Sequence, residues 1–161
     1  MSEQLIEQQM TVAKFGGTSM ANPEVAAGIV EEREDHRVVV VSAPGVDDLN
    51  PEKMTNQLEV AAAAIKAHDD STFMVIRDNI IDRFDNLYDS LGNRVRTKLR
   101  GAASELFAEA HRGNNPVADT MSIGEELSAR YFSERTGIRY VPSDWVRFSP
   151  TGRIQRGASV E

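Results

Sequence analysis

Apolar residues from Met10 to Phe15 predict a short strand running into Gly16-Gly17-Thr18-Ser19, a break where glycine permits backbone angles that a side chain would forbid. A helix should follow. Asn22 suits its N-cap, Pro23 the first helical position and Glu24 the positive helix end, while Val25, Ile29 and Val30 form an apolar stripe. Arg37 then leads into Val38-Val39-Val40-Val41, a β-branched run without alternation, expected of a parallel strand buried on both faces. Ser42-Ala43-Pro44-Gly45 ends it. The pattern is β-α-β, with a right-handed crossover expected.

Beyond a polar loop from Val46 to Pro51, Leu58, Ala61 or Ala62, and Ile65 recur at helical spacing, as do Phe73, Ile76, Ile80, Phe84, Leu87 and Leu91. Gly92 and Asn93 break the pattern. Val95, Leu99, Ala102, Leu106 and Ala110 form another stripe, stopped between His111 and Pro116, so two or three helices packed as hairpins are expected. A further helix should run from about Ala118 or Ser122 to Arg135, closed by Gly137. Ile138 to Val141 reads as a strand, and Asp144 to Phe148 as a further candidate strand before a Ser149-Pro150-Thr151-Gly152 turn.

Composition narrows the class. The chain has 161 residues, 40% of them hydrophobic, with no Cys, which excludes a disulfide framework, a thiolate metal site and a cysteine nucleophile. One domain with a core of its own is expected. No aliphatic stretch approaches the ~20 residues that span a bilayer, and residues 1 to 9 carry Glu3 and Glu7 rather than a cationic, apolar leader, so the reading is a cytoplasmic protein without a membrane partner. The net charge of −7 is uneven: residues 1 to 90 hold 7 basic and 17 acidic side chains, the remainder 11 and 8. The cluster Arg94, Arg96, Lys98 and Arg100 spreads around a helix with no interleaved aromatics, which reads as solvated surface and argues against nucleic acid.

Lys14 to Ser19 has the makings of a phosphate site: main-chain N–H groups at a strand-to-helix turn, a cation at the strand end, and the hydroxyls of Thr18 and Ser19. It is not a Walker loop, in which the lysine follows the glycines. Taken alone, a Gly-Gly pair after a strand fits a plain tight turn better. Glu125 taken alone fits a carboxylate near a helix start. His36, His68 and His111 are widely separated, so no metal site is indicated. Asp47-Asp48, Asp69-Asp70 and Glu31-Glu32 read as solvated acidic positions, and Trp145 and Phe148 as core or edge residues.

The order of these segments resembles the aspartate kinases of the amino acid kinase family. Lys14-Phe15-Gly16-Gly17-Thr18-Ser19 is similar to the family's opening signature, and Val38 to Gly45 to its second strand and Ser-Ala-Pro-Gly ending. Lys53-Met54-Thr55-Asn56-Gln57-Leu58 resembles its Lys-Val-Thr-Asp-Leu-Leu helix start, and Ser122 to Ala129 its Gly-Glu-x-Leu-Ser helix. Val141 to Arg153 resembles the strand and turn that follow.

The resemblance implies a three-layer α/β/α sandwich with a mainly parallel central sheet and a helical insertion, occupying residues 10–154 between tails at 1–9 and 155–161. It implies transfer of the ATP γ-phosphate to the side-chain carboxylate of L-aspartate, with ATP and Mg2+ as cofactors, at the head of lysine, threonine and methionine synthesis. Lys14 would be catalytic by neutralising the transferring phosphoryl group, and Gly16, Gly17, Thr18 and Ser19 would bind phosphate. Ser42 and Thr55 would hydrogen-bond the substrate, and Glu125 would hold its ammonium. The family's Gly-Arg-Gly-Gly-Ser-Asp segment is missing, since Arg156-Gly157-Ala158-Ser159 only mimics it, and Val46 stands where a lysine is common. The expectation is therefore the N-terminal, amino-acid-binding part of the kinase domain, without the nucleotide-binding half or regulatory domains, inactive as an isolated chain. Its partners would be aspartate and ATP, with the missing half or a second copy completing it. The rival expectations are a non-catalytic amino-acid-binding or protein-interaction half-domain, and a kinase for glutamate or acetylglutamate, against which Thr18-Ser19 and the later blocks argue.

Overall fold

The computed structural model of the chain describes residues 11–33 and 36–142, and the side chains of all of these except 36 and 37. The tails at 1–9 and 155–161, and the strand and turn expected from Asp144 to Gly152, lie outside the described residues. Two strands, β1 (Thr11–Phe15) and β2 (His36–Val41), pair in parallel, with Lys14 opposite Val40 and Phe15 opposite Val41. Between them lie α1 (Gly17–Met20) and α2 (Pro23–Glu32), giving the expected β-α-β order. The break after β1 is itself one helical turn, whose first bond runs from the Met20 N–H to the Gly16 carbonyl at 3.0 Å. Asn22 stands at the N-cap of α2 and Pro23 at N1, but the Asn22 side chain makes no capping bond.

The helical region resolves into α3 (Met54–Lys66), α4 (Asp70–Leu87) and α5 (Asn93–Arg112), followed by α6 (Pro116–Thr136). Leu58, Ala61 and Ile65 of α3, Phe73, Ile80 and Phe84 of α4, and Leu99 and Ala110 of α5 are buried, as their spacing predicts, but between the last two the buried residues of α5 are Ala103 and Phe107 and not Ala102 and Leu106. α6 is the hub, packing against α2, α3, α4, α5 and β2. Its inner side carries Ile123, Leu127, Tyr131 and Phe132, with the Tyr131 ring 5.2 Å from Phe84 and 5.3 Å from Tyr88. Gly137 ends it at φ 72°, the left-handed cap expected of that glycine.

Three expectations are corrected. Val38 and Val40 are 38% and 44% exposed, so β2 is not buried on both faces. Its Val39 and Val41 pack on the core beside Ala13 and Phe15, whereas Val12, Lys14, Val38 and Val40 form an open face. The described residues therefore make a small parallel sheet covered by helices on one face, a mixed α/β arrangement. Ile138 to Val141 forms no strand, although Ile138 packs against the core. Finally, α6 starts at Pro116, earlier than its apolar pattern suggests, because Pro116 at N1 opens a helix in the same cluster that ends the previous one.

Candidate functional site

Two loops leave the carboxyl ends of the parallel strands and lie against each other. The Ser42 N–H donates to the Phe15 carbonyl at 3.1 Å, and the Gly45 N–H to the Gly17 carbonyl at 2.7 Å. Their backbones are so close that a Cβ on Gly45 would lie 2.9 Å from the Gly17 carbonyl carbon, and a Cβ on Gly17 3.1 Å from the Ala43 oxygen. Gly17 and Gly45 are thus glycines because two main chains meet there. Gly16 has open space where its Cβ would stand.

The third partner is α6. A Cβ on Gly124 would lie 2.7 Å from the Ala43 Cβ and 3.0 Å from a Leu58 methyl, so α6 rests directly on the loop after β2 and on the first turns of α3. α3 is tied to that loop as well, by the Met54 N–H donating to the Pro44 carbonyl at 3.3 Å. The four segments singled out in the sequence, around Gly17, Ala43, Thr55 and Gly124, therefore converge on one junction at the carboxyl ends of the strands.

The side chains around the junction divide into two sets. Lys14, Thr18 and Ser19 are exposed, with Lys14 on the open sheet face; Ser42 and Thr55 are half-buried, Thr55 in the first turn of α3. The N–H groups of Gly17, Thr18 and Ser19 precede the first α1 bond and carry no helical obligation. Glu125 is exposed and sits mid-way along α6, not at a helix start, so a helix-dipole role is removed. It lines a groove of about 650 Å3 between the Val38–Val41 edge, α6 and residues 138–141, together with Glu126, Phe132 and Tyr140. Lys14 is not among the residues lining that groove.

Glu126 belongs to a network of its own. It accepts from the Arg130 Nε at 2.8 Å and from the Tyr140 hydroxyl, and the Arg130 guanidinium lies 5.3 Å from the Tyr140 ring centre. Burial, reinforced by the Glu126 carboxylate, pushes the Tyr140 phenol up to about 12. Glu126 is therefore occupied, and Glu125 presents its carboxylate to the groove.

Among solved structures, the chain is similar to aspartokinase III of E. coli. That protein was crystallised in complex with lysine and aspartate in its T-state, and the likeness has 23% identity and a TM-score of 0.47 over 91% of this chain and 34% of that one. This chain thus spans about a third of that chain's length. No family model and no curated protein matches it.

Two residues of the site region escape a reading of the sequence alone. Asp47 is not merely a solvated loop acid: its Oδ1 accepts from the N–H groups of Leu49 and Asn50 at 2.9 and 2.8 Å, and its Oδ2 faces Arg83 at 3.3 Å. Burial raises its pKa, but the bonds from Asn50 and Leu49 and the Arg83 charge outweigh this and hold it below the usual carboxylate range. Arg83 is only 3% exposed, an arginine within the apolar stripe of α4. The available signal was its place beside Ile80 and Phe84, where a helix face expected to be buried carries a cation. Among the described residues no three His, Asp or Glu side chains gather as a metal site, and no helix is long and apolar enough to cross a membrane.

Proposed function

We propose that the chain is the N-terminal, amino-acid-binding part of an aspartate kinase, contributing the acceptor side of phosphoryl transfer from ATP to the side-chain carboxylate of L-aspartate. The observation that carries the reading is the junction itself: four segments resembling the family's blocks, spread from Gly17 to Gly124, pack on one another through Ala43 and Gly45. Ser42 and Thr55 would bond the substrate from the loop and from α3, and Glu125 would hold its ammonium from α6.

The residues present suit an anion beside them. Lys14 at the strand end and the main-chain N–H groups of Gly17 to Ser19 offer a cation and amide donors, which is what charge stabilisation in phosphoryl transfer asks of a protein. ATP, when bound, would supply the phosphoryl group, and its Mg2+ would keep several waters and need few protein ligands. The chain's part is to orient the acceptor and neutralise charge. In this reading a nucleotide-binding half completes the sheet into a three-layer sandwich and covers Val12, Val38 and Val40; the whole enzyme is cytoplasmic and serves lysine, threonine and methionine synthesis.

Calorimetric titration of the chain with L-aspartate tests this. Saturable binding that is lost in Glu125→Gln and retained in Glu134→Gln, a surface control, is the expected result; no binding, or equal binding in both variants, overturns it. A second reading, a non-catalytic half-domain, is favoured by the open sheet face with its exposed valines. A stable dimer in light scattering, with no aspartate binding, would select it.

A further inference from the structure

Burying a guanidinium costs far more than burying an apolar side chain of the same length unless hydrogen bonds replace its water. Arg83 is 3% exposed, and its partners are unusual. Its Nη1 donates to the Glu52 carbonyl at 2.9 Å, and its Nη2 donates to the Gly45 carbonyl and faces Asp47 Oδ2 at 3.3 Å. Gly45 and Glu52 flank residues 46–51 of the loop that joins β2 to α3. One planar fork therefore closes the loop from inside, while Asp47, Leu49 and Asn50 close it from the solvent side.

Each end of the clamped loop leads to a different part of the junction. Gly45, whose carbonyl Arg83 holds, gives its own N–H to Gly17 in the loop after β1. Glu52 immediately precedes Lys53 and Met54, where α3 begins and where Thr55 sits in the first turn. The guanidinium thus ties the Gly17 side of the site to the Thr55 side, alongside the Met54–Pro44 backbone bond, without itself lining the groove. Burial presses its pKa down and Asp47 and Glu52 pull it back up, and arginine keeps its charge across the ordinary pH range.

We propose that Arg83 is a positioning residue: by holding the carbonyls of Gly45 and Glu52 together it fixes the loop that sets Ser42 and Thr55 for the amino acid substrate. The effect on substrate rests on the function proposed above; the clamp does not. Lysine at this position keeps the charge and the stem but cannot span both carbonyls with one rigid fork.

Amide hydrogen exchange on the full chain separates this from a general core role. In Arg83→Lys the amides of Gly45, Leu49, Asn50 and Met54 should exchange at least tenfold faster, with those of α5 and the centre of α6 unchanged. Asp47→Asn keeps an acceptor for the loop amides but drops the charge facing Arg83, and should speed the same amides by a smaller factor. Unchanged exchange at Gly45 in both variants, or a uniform rise through every helix, overturns the proposal. Calorimetry then adds the substrate: aspartate affinity should fall about tenfold or more in Arg83→Lys, and an unaltered affinity with an opened loop overturns the positioning role. Selective loop opening in Arg83→Lys, with a wild-type chain that binds no aspartate, supports the clamp and sinks the proposed function alone.

Discussion

Gly124 has no room for a methyl group, because the Ala43 Cβ already stands 2.7 Å from where it would go. Neither neighbour can yield easily, since Ala43 belongs to a loop pinned to Gly17 and Leu58 is fully buried. Gly124→Ala should cost about 1–3 kcal/mol by overpacking, read as a lower midpoint in urea or thermal unfolding. Gly16→Ala, with open space and φ of −80°, should change stability by less than about 0.5 kcal/mol. Equal stability of the two variants would show that α6 does not rest on the loop as described. His68 is the opposite case: it holds φ of 54° just past the end of α3, a conformation that favours glycine. His68→Gly is expected to stabilise by roughly 0.5–1 kcal/mol, and a destabilised variant would contradict that geometry.

Among the helices, α4 has the most completely capped start. Asp69 accepts from the Thr72 N–H at 3.1 Å and from the hydroxyls of Thr72 and Ser71 at 2.6 and 2.7 Å, which lowers its pKa to about 2. Glu24 is also held below its ordinary value: burial raises it, but bonds from Ser90 and Arg135 prevail. Groups with a depressed folded pKa bind protons more readily when unfolded, so the stability they contribute is complete above the ordinary value near 4 and drains away as the pH falls through about 2. Denaturant unfolding should therefore show stability falling between pH 4 and 2. Asp69→Ala should be less stable at pH 7 and lose part of that slope; an unchanged slope would dismiss the cap. In β2 the two faces should respond differently. Val39→Ala or Val41→Ala should cost about 1–2 kcal/mol, while Val38→Thr or Val40→Thr should stay within about 0.5 kcal/mol.

At the scale of the whole molecule, much of the architecture is written in local pattern. The β-α-β opening follows from a strand that meets two glycines and then a proline-initiated helix, and the end of α6 follows from Gly137. What periodicity cannot show is which partner covers a face. The four valines of β2 look the same in sequence whether one face is covered or two. Pro116 stands among breakers yet opens a helix, which moves Glu125 from a presumed helix start to its middle. Arg83 is hidden for a related reason: a polar residue inside an apolar stripe counts against the pattern, although here two carbonyls more than thirty residues earlier give it partners. The candidate site itself was legible only as separate blocks, because the contacts that join them run through Ala43, Gly45 and Gly124, small residues that carry no chemical signal of their own.

The decisive measurement is amide chemical-shift mapping of the isotope-labelled chain as L-aspartate is added. A single acceptor site at the junction predicts saturable shifts that share one dissociation constant at Gly17, Ser42, Gly45, Thr55 and Glu125. Shifts confined to one of these segments, or none at millimolar aspartate, would contradict it.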